Sequence, residues 1–435
     1  MLKFDEISNA CVKCGKCIPD CTIHIINTDE ITSPRGFLDL IGAYTRGELK
    51  LDKNMKNIFN SCFLCTNCTQ ACPSNLRVDS AIEAVRYDIA YKFGISWYKK
   101  IIFYLLSHRK IMDFLARLGY VFQSCAFKIQ GQNDDINIFD KDNKISKNFG
   151  MKARFSMPLI KKNRLLMSLS KKSFLNSNSN FIDNGGDKTI GFFVGCLSNY
   201  AYTSTANAVL KITKELKINI DLMKDQNCCG APHYFTGDFK NVSKLAKKNI
   251  AYFEEKLKTL DAIIVPEATC SAMLNIDYIH LFHMIKEPQW EERAKNISSK
   301  IKLATKYFYD ETKLLTILKN KNKNNILITY HDPCHARKMQ GVFKEPRAFL
   351  KENFNLVELK NINTCCGFGG ISMQSEYFDN SLKIAYKKID DIEQSQAQIV
   401  SAECSACRMQ ISNALEAKNS NILFKNPLEL IASIL

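Results

Sequence analysis

The sequence predicts an α+β protein of several domains, an α-helical N-terminal domain followed by two repeated α/β domains. Three observations predict it. Two runs of four closely spaced cysteines, at residues 11–21 and 62–72, precede and interleave with stretches of helical apolar rhythm. From Thr189 the chain repeats itself, each half carrying a short apolar strand that runs into a cysteine, a Cys-Cys-Gly triplet, a helical stretch and a second strand leading to another cysteine. Between the helical and repeated parts lies a stretch rich in Asn, Asp, Ser and Lys. The expected domains are residues 1–98, 189–318 and 319–435, joined by a helical segment and polar connector at 99–188.

A chain of 435 residues with 46% hydrophobic residues has the composition of a folded globular protein. Its eighteen cysteines gather at short ligand spacings, unlike the disulfide framework of a small secreted domain, and imply a reducing compartment. The opening Met1-Leu2-Lys3-Phe4-Asp5-Glu6 lacks the basic-then-apolar order of a signal peptide, and the expected location is cytoplasmic. The longest apolar run in the aromatic region, residues 101–106, falls far short of the ~20 residues a membrane-spanning helix needs. The formal charge of +16 comes without a helix-turn-helix, RNA-binding or zinc-finger signature, so no nucleic-acid partner is expected. A positive surface facing an acidic partner or anionic lipid is the alternative reading of that charge.

In the N-terminal domain, Cys11, Cys14, Cys17 and Cys21 follow the C-x2-C-x2-C-x3-C spacing of ferredoxins, and Cys62, Cys65, Cys68 and Cys72 repeat it. In such pairs three cysteines of one run join the last of the other. The spacing therefore assigns Cys11, Cys14, Cys17 and Cys72 to one 4Fe-4S cluster, and Cys62, Cys65, Cys68 and Cys21 to a second. Pro73 follows the second run, whereas Thr22 stands where the first would have its proline. Residues 35–49, with Phe37, Leu38, Ile41 and Tyr44, suit an amphipathic helix, so the module reads as an α-helical ferredoxin domain.

Helical rhythm continues over Val78–Phe93 and across the aromatic, basic segment 97–129. Lys99, Lys100, Arg109, Lys110 and Arg117 interleave there with Ile101, Phe103, Leu105 and Phe114. The expectation is a helix packed on its own protein, because aromatic stripes at helical spacing are usually core; peripheral contact with the inner face of a membrane is the alternative. Cys125, alone in this segment, reads as a small buried apolar residue. Residues 130–188 read as an irregular connector.

In the repeat, residues 190–194 and 326–330 are expected strands, as are 262–266 and 398–402, with helices at 242–257 and 381–392. Cysteines at strand ends and helix starts suit α/β units, whose helix N-termini converge on a charged centre. The second half holds Cys334, Cys365, Cys366, Cys404 and Cys407. Adjacent cysteines do not readily pair with each other, but their sulfurs can reach two irons of one cluster where the following Gly lets the backbone come close. Five thiolates suggest an iron–sulfur assembly; four-coordinate structural zinc, the alternative, would leave one over. The first half holds Cys196, Cys228, Cys229 and Cys270, with Met273 where Cys407 completes the second pattern. Four cysteines suffice for a conventional cluster or a zinc site and are equally consistent with a duplicate kept for its fold.

Among histidines, His331 and His335 flank Cys334 and are expected in satisfied structural roles, with tuning of the site as the alternative. His280 and His283 stand three apart on an expected helix. Arg337, Lys338 and Arg408 lie close in sequence to the second-half cysteines, where positive charge would favour thiolates.

The five-cysteine pattern resembles the Cys-Cys-Gly domain of heterodisulfide reductase and of iron–sulfur subunits of flavin-linked dehydrogenases. In heterodisulfide reductase such a set holds a noncubane cluster, a type that the resemblance implies for the second half. Over nearly its whole length the chain resembles the iron–sulfur subunit of glycolate oxidase. Ser33-Pro34-Arg35-Gly36, Val194-Gly195-Cys196, Asn227-Cys228-Cys229-Gly230-Ala231 and the lost last cysteine of the first half fit that family. It is also similar to the third subunit of anaerobic glycerol-3-phosphate dehydrogenase, where Asp332-Pro333-Cys334-His335-Ala336 would sit comfortably. These resemblances imply an FAD-containing partner that oxidises the substrate while this chain carries electrons toward quinone or another acceptor. No G-x-G-x-x-G follows an expected strand, so no flavin is expected on this chain. The rival readings are a heterodisulfide-reductase-like catalyst working at the second-half cluster and a zinc-scaffolded interaction protein.

Overall fold

The computed structural model describes residues 5–130, 150–157 and 159–435, and its first part is helical. Helix Pro34–Thr45 starts where Ser33, in extended conformation, accepts a hydrogen bond from Gly36 N at 3.0 Å, with Pro34 pre-set for the first turn. Its apolar stripe of Phe37, Leu38 and Ile41 is buried, and Phe37 meets Phe59 of helix Lys53–Asn60 with ring centroids 5.5 Å apart. Helix Val78–Phe93 completes the unit and has the bounds its rhythm predicts.

The aromatic segment is helical and packed on the protein as expected, but its helices end before residue 129 and one face stays uncovered. It forms two helices, Trp97–Ser107 and Arg109–Ala126, and then turns to strand at Phe127. Only Lys99 and Phe103 are buried on the first and only Ala116 on the second, so the segment lies across the protein with one face seated and the other bare. Cys125 is exposed on it, which corrects its reading as a buried apolar residue.

The connector is less irregular than its composition suggests, although residues 131–149 fall outside the described ones. Strands β1 (Phe127–Gln130), β2 (Gly150–Ala153) and β3 (Leu165–Leu166) form a small antiparallel sheet, and β4 (Phe181–Ile182) joins the edge of the next. Strand pairing satisfies backbone groups that the polar side chains give no sign of ordering.

The four strands expected in the repeat are present, and each half adds further strands. The first half comprises β5 (Thr189–Phe192), β6 (Asn219–Asp221), β7 (Ile263–Val265) and β8 (Ile301–Leu303), in the order β4-β6-β5-β7-β8, with β4 antiparallel and the rest parallel. The second comprises β9 (Leu327–Tyr330), β10 (Asn355–Val357), β11 (Ile399–Ser401) and β12 (Leu423–Lys425), ordered β10-β9-β11-β12 and wholly parallel. Strands β7 and β11 are buried at every position, as strands covered by helices on both faces must be.

The parts interlock. Phe37 and Phe59 of the helical unit share one apolar core with Ile389, Val400 and Ile411 of the second half. Arg86 is buried because its guanidinium donates to the carbonyls of Phe59, Cys62 and, at 2.9 Å, Phe235 of the first half. The last helix, Pro427–Ile434, packs Leu428 and Ile431 into the first-half core, so the two halves exchange an element.

Candidate metal centres

In each half the chain leaves the first strand for one neighbour and returns to the opposite side for the next, which makes the gap between β5 and β7, and between β9 and β11, a topological switch point. Crevices at the carboxyl ends of such strands are where open α/β sheets bind ligands. The cysteines occupy them. Cys196 and Cys334 open the helices after β5 and β9; Cys270 lies in the helix after β7, and Cys404 caps helix Ser405–Ala417 after β11.

The Cys-Cys-Gly loops close each site. Gly230 and Gly367 both have φ +85°, and a side chain on Gly367 would meet Ser381 O at 2.6 Å, so only glycine turns the chain here against the following helix. The turn aims the paired cysteines back at the strand ends. In the first half Cys229 Sγ lies 3.4 Å from Cys270 Sγ, and the Cys196 thiol is raised by its neighbour Cys228 and by burial. In the second, Cys365 and Cys407 next to Cys366, and Cys407 next to Cys404, pull those two thiols below the usual thiol range. The Cys334 thiol is pushed up to about 12 by burial. Met273, fully buried, begins a π-helical turn, Met273–Asp277, where the second half continues its α-helix through Cys407.

The two sets face each other. One cavity of about 180 Å³ is lined by Cys196, Cys229 and Cys270 from the first half and by Cys334, Cys366 and Cys404 from the second. His335 reaches across it, with Nδ1 3.5 Å from Cys334 Sγ and 3.3 Å from Thr269 Oγ1 of the first half.

The ferredoxin cysteines gather in two groups. Cys17, its thiol raised by burial, feels Cys11, Cys14 and Cys72, whereas Cys21, raised to about 12 by burial, feels Cys62 and Cys65. Burial likewise raises Cys68, next to Cys62, Cys65 and Cys21. Cys65 is raised first by its neighbour Cys365 and then by burial, so the second group touches the second-half site. Thr22, the residue in place of the proline, sets its Oγ1 3.1 Å from Cys65 Sγ.

Burial holds most of these thiols protonated in the absence of a cation, whereas neighbouring thiols pull Cys366 and Cys404 below the usual thiol range; a metal displaces the remaining protons by supplying the positive charge that desolvation removes. The donor sets, four thiols twice in the helical unit, five and four in the halves, fit iron–sulfur ligation.

One residue was undervalued in the sequence. His331 is buried, its Nδ1 has no hydrogen-bond partner among the described residues, and its ligand atom lies within 4.8 Å of those of Cys366 and Cys407. Burial pushes its imidazole down to about 3, so it is neutral and able to ligate. This corrects its expected role as a satisfied structural histidine; the only signal was its place three residues before Cys334. His280 and His283 turn instead to Arg77 at 2.9 Å and Glu291 at 3.2 Å. Of the basic residues, Arg408 pairs with Glu429 at 2.7 Å, Arg337 with Asp332 at 3.5 Å, and Lys338 donates to Asn67 beside Cys68.

Comparison with known proteins agrees with this layout. A model of the 4Fe-4S dicluster domain matches residues 7–76, and a model of the cysteine-rich domain matches twice, at residues 190–275 and 328–412. The chain is 27% identical over 422 residues to the probable glycolate oxidase iron-sulfur subunit of Bacillus subtilis, covering 93% of this chain and 88% of that one. It is 30% identical over 247 residues to lactate utilization protein A of a Geobacillus species, covering 56% of this chain and 99% of the relative. It is also 29% identical over 277 residues to one subunit of the fumarate reductase (CoM/CoB) of Methanothermobacter marburgensis, covering 62% of this chain and 52% of that one. With dicluster motif, duplicated cysteine-rich halves and full-length similarity in agreement, the chain belongs to the family of glycolate oxidase iron–sulfur subunits.

Proposed function

We propose that this electron-transfer chain serves a flavin-dependent dehydrogenase of 2-hydroxy acids, of the glycolate or lactate type, and passes electrons from an FAD-containing partner toward quinone. The observation that carries the reading is the contact of Cys65 with Cys365, which joins the helical unit to the second half without intervening chain. In this reading Cys11, Cys14, Cys17 and Cys72 hold one 4Fe-4S cluster, and Cys62, Cys65, Cys68 and Cys21 hold the other. Cys334, Cys365, Cys366, Cys404 and Cys407 hold a further cluster, and Cys196, Cys228, Cys229 and Cys270 offer a fourth site. Bound clusters supply one-electron transfer; the protein supplies ligands, exclusion of water and spacing.

The test is to assay the pure, flavin-free chain with glycolate, lactate and glycerol-3-phosphate, with and without the flavoprotein. Dye reduction is expected only with the partner; substrate-dependent reduction by the chain alone contradicts the proposal. The same assay separates glycerol-3-phosphate, the substrate of the related anaerobic enzyme, from the 2-hydroxy acids. The shared cavity favours a second reading, a catalyst that reduces a disulfide or quinone between the two cysteine sets. That reading expects the isolated, chemically reduced chain to turn over such an acceptor.

A further inference from the structure

Helices Trp97–Ser107 and Arg109–Ala126 are held firmly from beneath. Phe103 stacks on His233 with ring centroids 4.3 Å apart, and Lys99 Nζ donates to Ser372 Oγ at 2.8 Å. Asp113 accepts from the Tyr200 hydroxyl at 2.8 Å, and Gln123 accepts from Leu169 N at 3.0 Å. The first helix thus spans both α/β halves, and its order does not depend on anything that covers its other side.

That other side is apolar. Trp97, Ile101 and Tyr104 stand exposed at helical spacing on the first helix, and Ile111, Phe114, Leu118, Val121 and Phe122 on the second. Trp97 and Phe114 are 69% and 68% exposed, Val121 and Phe122 61% and 58%. A stripe of this regularity is normally turned to the core, and when it is left on the surface it marks an interaction site. No helix among the described residues is long and apolar enough to cross a membrane.

The charges around the stripe select the partner. Lys100, Lys110, Arg117 and Lys128 are exposed beside it, and the only acidic residue from 97 to 130 is Asp113, which is half-buried between Arg109 and Tyr200. Glu376 meets the face only at the Trp97 end, through Ser96, Tyr98 and Lys99. An apolar face of aromatic and aliphatic residues flanked along its own helices by cations, with Trp and Tyr at its edge, is the pattern of a helix lying in an anionic bilayer surface. We propose that the pair Trp97–Ser107 and Arg109–Ala126 docks this protein, lying flat, on membranes containing anionic phospholipid. Beneath the same helices Leu105, Leu106 and Met112 enclose a small cavity with Cys196 and Cys228. Docking therefore turns the first-half cysteines toward the side from which a lipid-soluble acceptor arrives. This last consequence rests on the proposed electron-transfer role; the docking itself does not.

The test uses the anaerobically purified full chain and phosphatidylcholine vesicles with and without phosphatidylglycerol. The protein co-sediments with the anionic vesicles, less so as salt is raised. Phe114→Glu with Val121→Glu weakens that binding about tenfold or more, with iron content unchanged, because both side chains already face water in the fold. The chain has two tryptophans, so Trp290→Phe leaves Trp97 as sole reporter; its emission shifts to the blue and is quenched by brominated lipid. Iron-loaded protein that stays in the supernatant, or that binds with Trp97 emission unaltered, overturns the proposal. So does equal binding by the double variant, or a face that is shielded by the flavoprotein while vesicles are ignored.

Discussion

Cys65 and Cys365 are buried in one core and each acts on the other's charge, so the second ferredoxin run and the second α/β half meet at these two residues. The Cys14 end of the helical unit is exposed, whereas Cys65 and Cys365 are buried. An electron entering near Cys14 would pass inward along a path of increasing burial.

The crossed ligand sets give the first prediction. Cys21 feels Cys62 and Cys65, and Cys17 feels Cys72, the neighbourhoods expected if each run lends its last cysteine to the other's cluster. Cys21→Ser is expected to perturb the cluster at Cys62, Cys65 and Cys68, and Cys72→Ser the one at Cys11, Cys14 and Cys17. EPR spectra of the two reduced variants should differ in which cubane signal is altered; damage confined to the variant's own run rejects the crossing.

The second prediction concerns the unequal halves. Met273 presents a neutral thioether where the second half has the Cys407 thiolate, a weaker ligand for iron. Cys404→Ser or Cys366→Ser should stop electron delivery to a quinone analogue while both ferredoxin clusters remain reducible, whereas Cys270→Ser should slow it less. Steady-state transfer from the flavoprotein decides this, and the reverse pattern would move the working site to the first half.

The third is a stability prediction. Burial opposes the charge on Glu429, but Arg408 and Lys425, with hydrogen bonds from Ser204 and Thr205, outweigh it and hold the carboxyl down to about 2. Its folded value lies below the unfolded value of about 4.3, so the stabilisation is complete above that pH and is lost as pH falls toward 2. Glu429→Gln strands Arg408 and loosens the exchanged helix Pro427–Ile434, with an expected loss on the order of 3 kcal/mol at neutral pH. Thermal unfolding should show the gap to wild type narrowing below about pH 4.3; a gap constant with pH contradicts the ion pair's role.

Much of this was legible in the sequence because ligand spacing and strand periodicity are local. Val78–Phe93 and the strands after which Cys196, Cys270, Cys334 and Cys404 stand follow from apolar pattern alone. What was not legible depends on distant packing. Nothing near Cys65 in sequence points to Cys365, and nothing near His331 points to Cys366 and Cys407. The bare face at 97–126 was not legible for the same reason: helical spacing shows that a stripe exists, not what lies opposite it. The short strands of the connector escaped because their residues are polar and their pairing is carried by backbone.

The central claim is that the second-half cysteines hold an iron–sulfur cluster in addition to the two of the helical unit. The direct measurement is anaerobic iron and acid-labile sulfide analysis, with EPR, on wild type and on a Cys365→Ser, Cys404→Ser double variant. The account predicts more than the about eight irons of two cubanes in wild type, and in the variant a loss of iron and sulfide equal to one cluster with both cubane signals intact. Zinc without sulfide, or the same iron and sulfide content in both proteins, would contradict it.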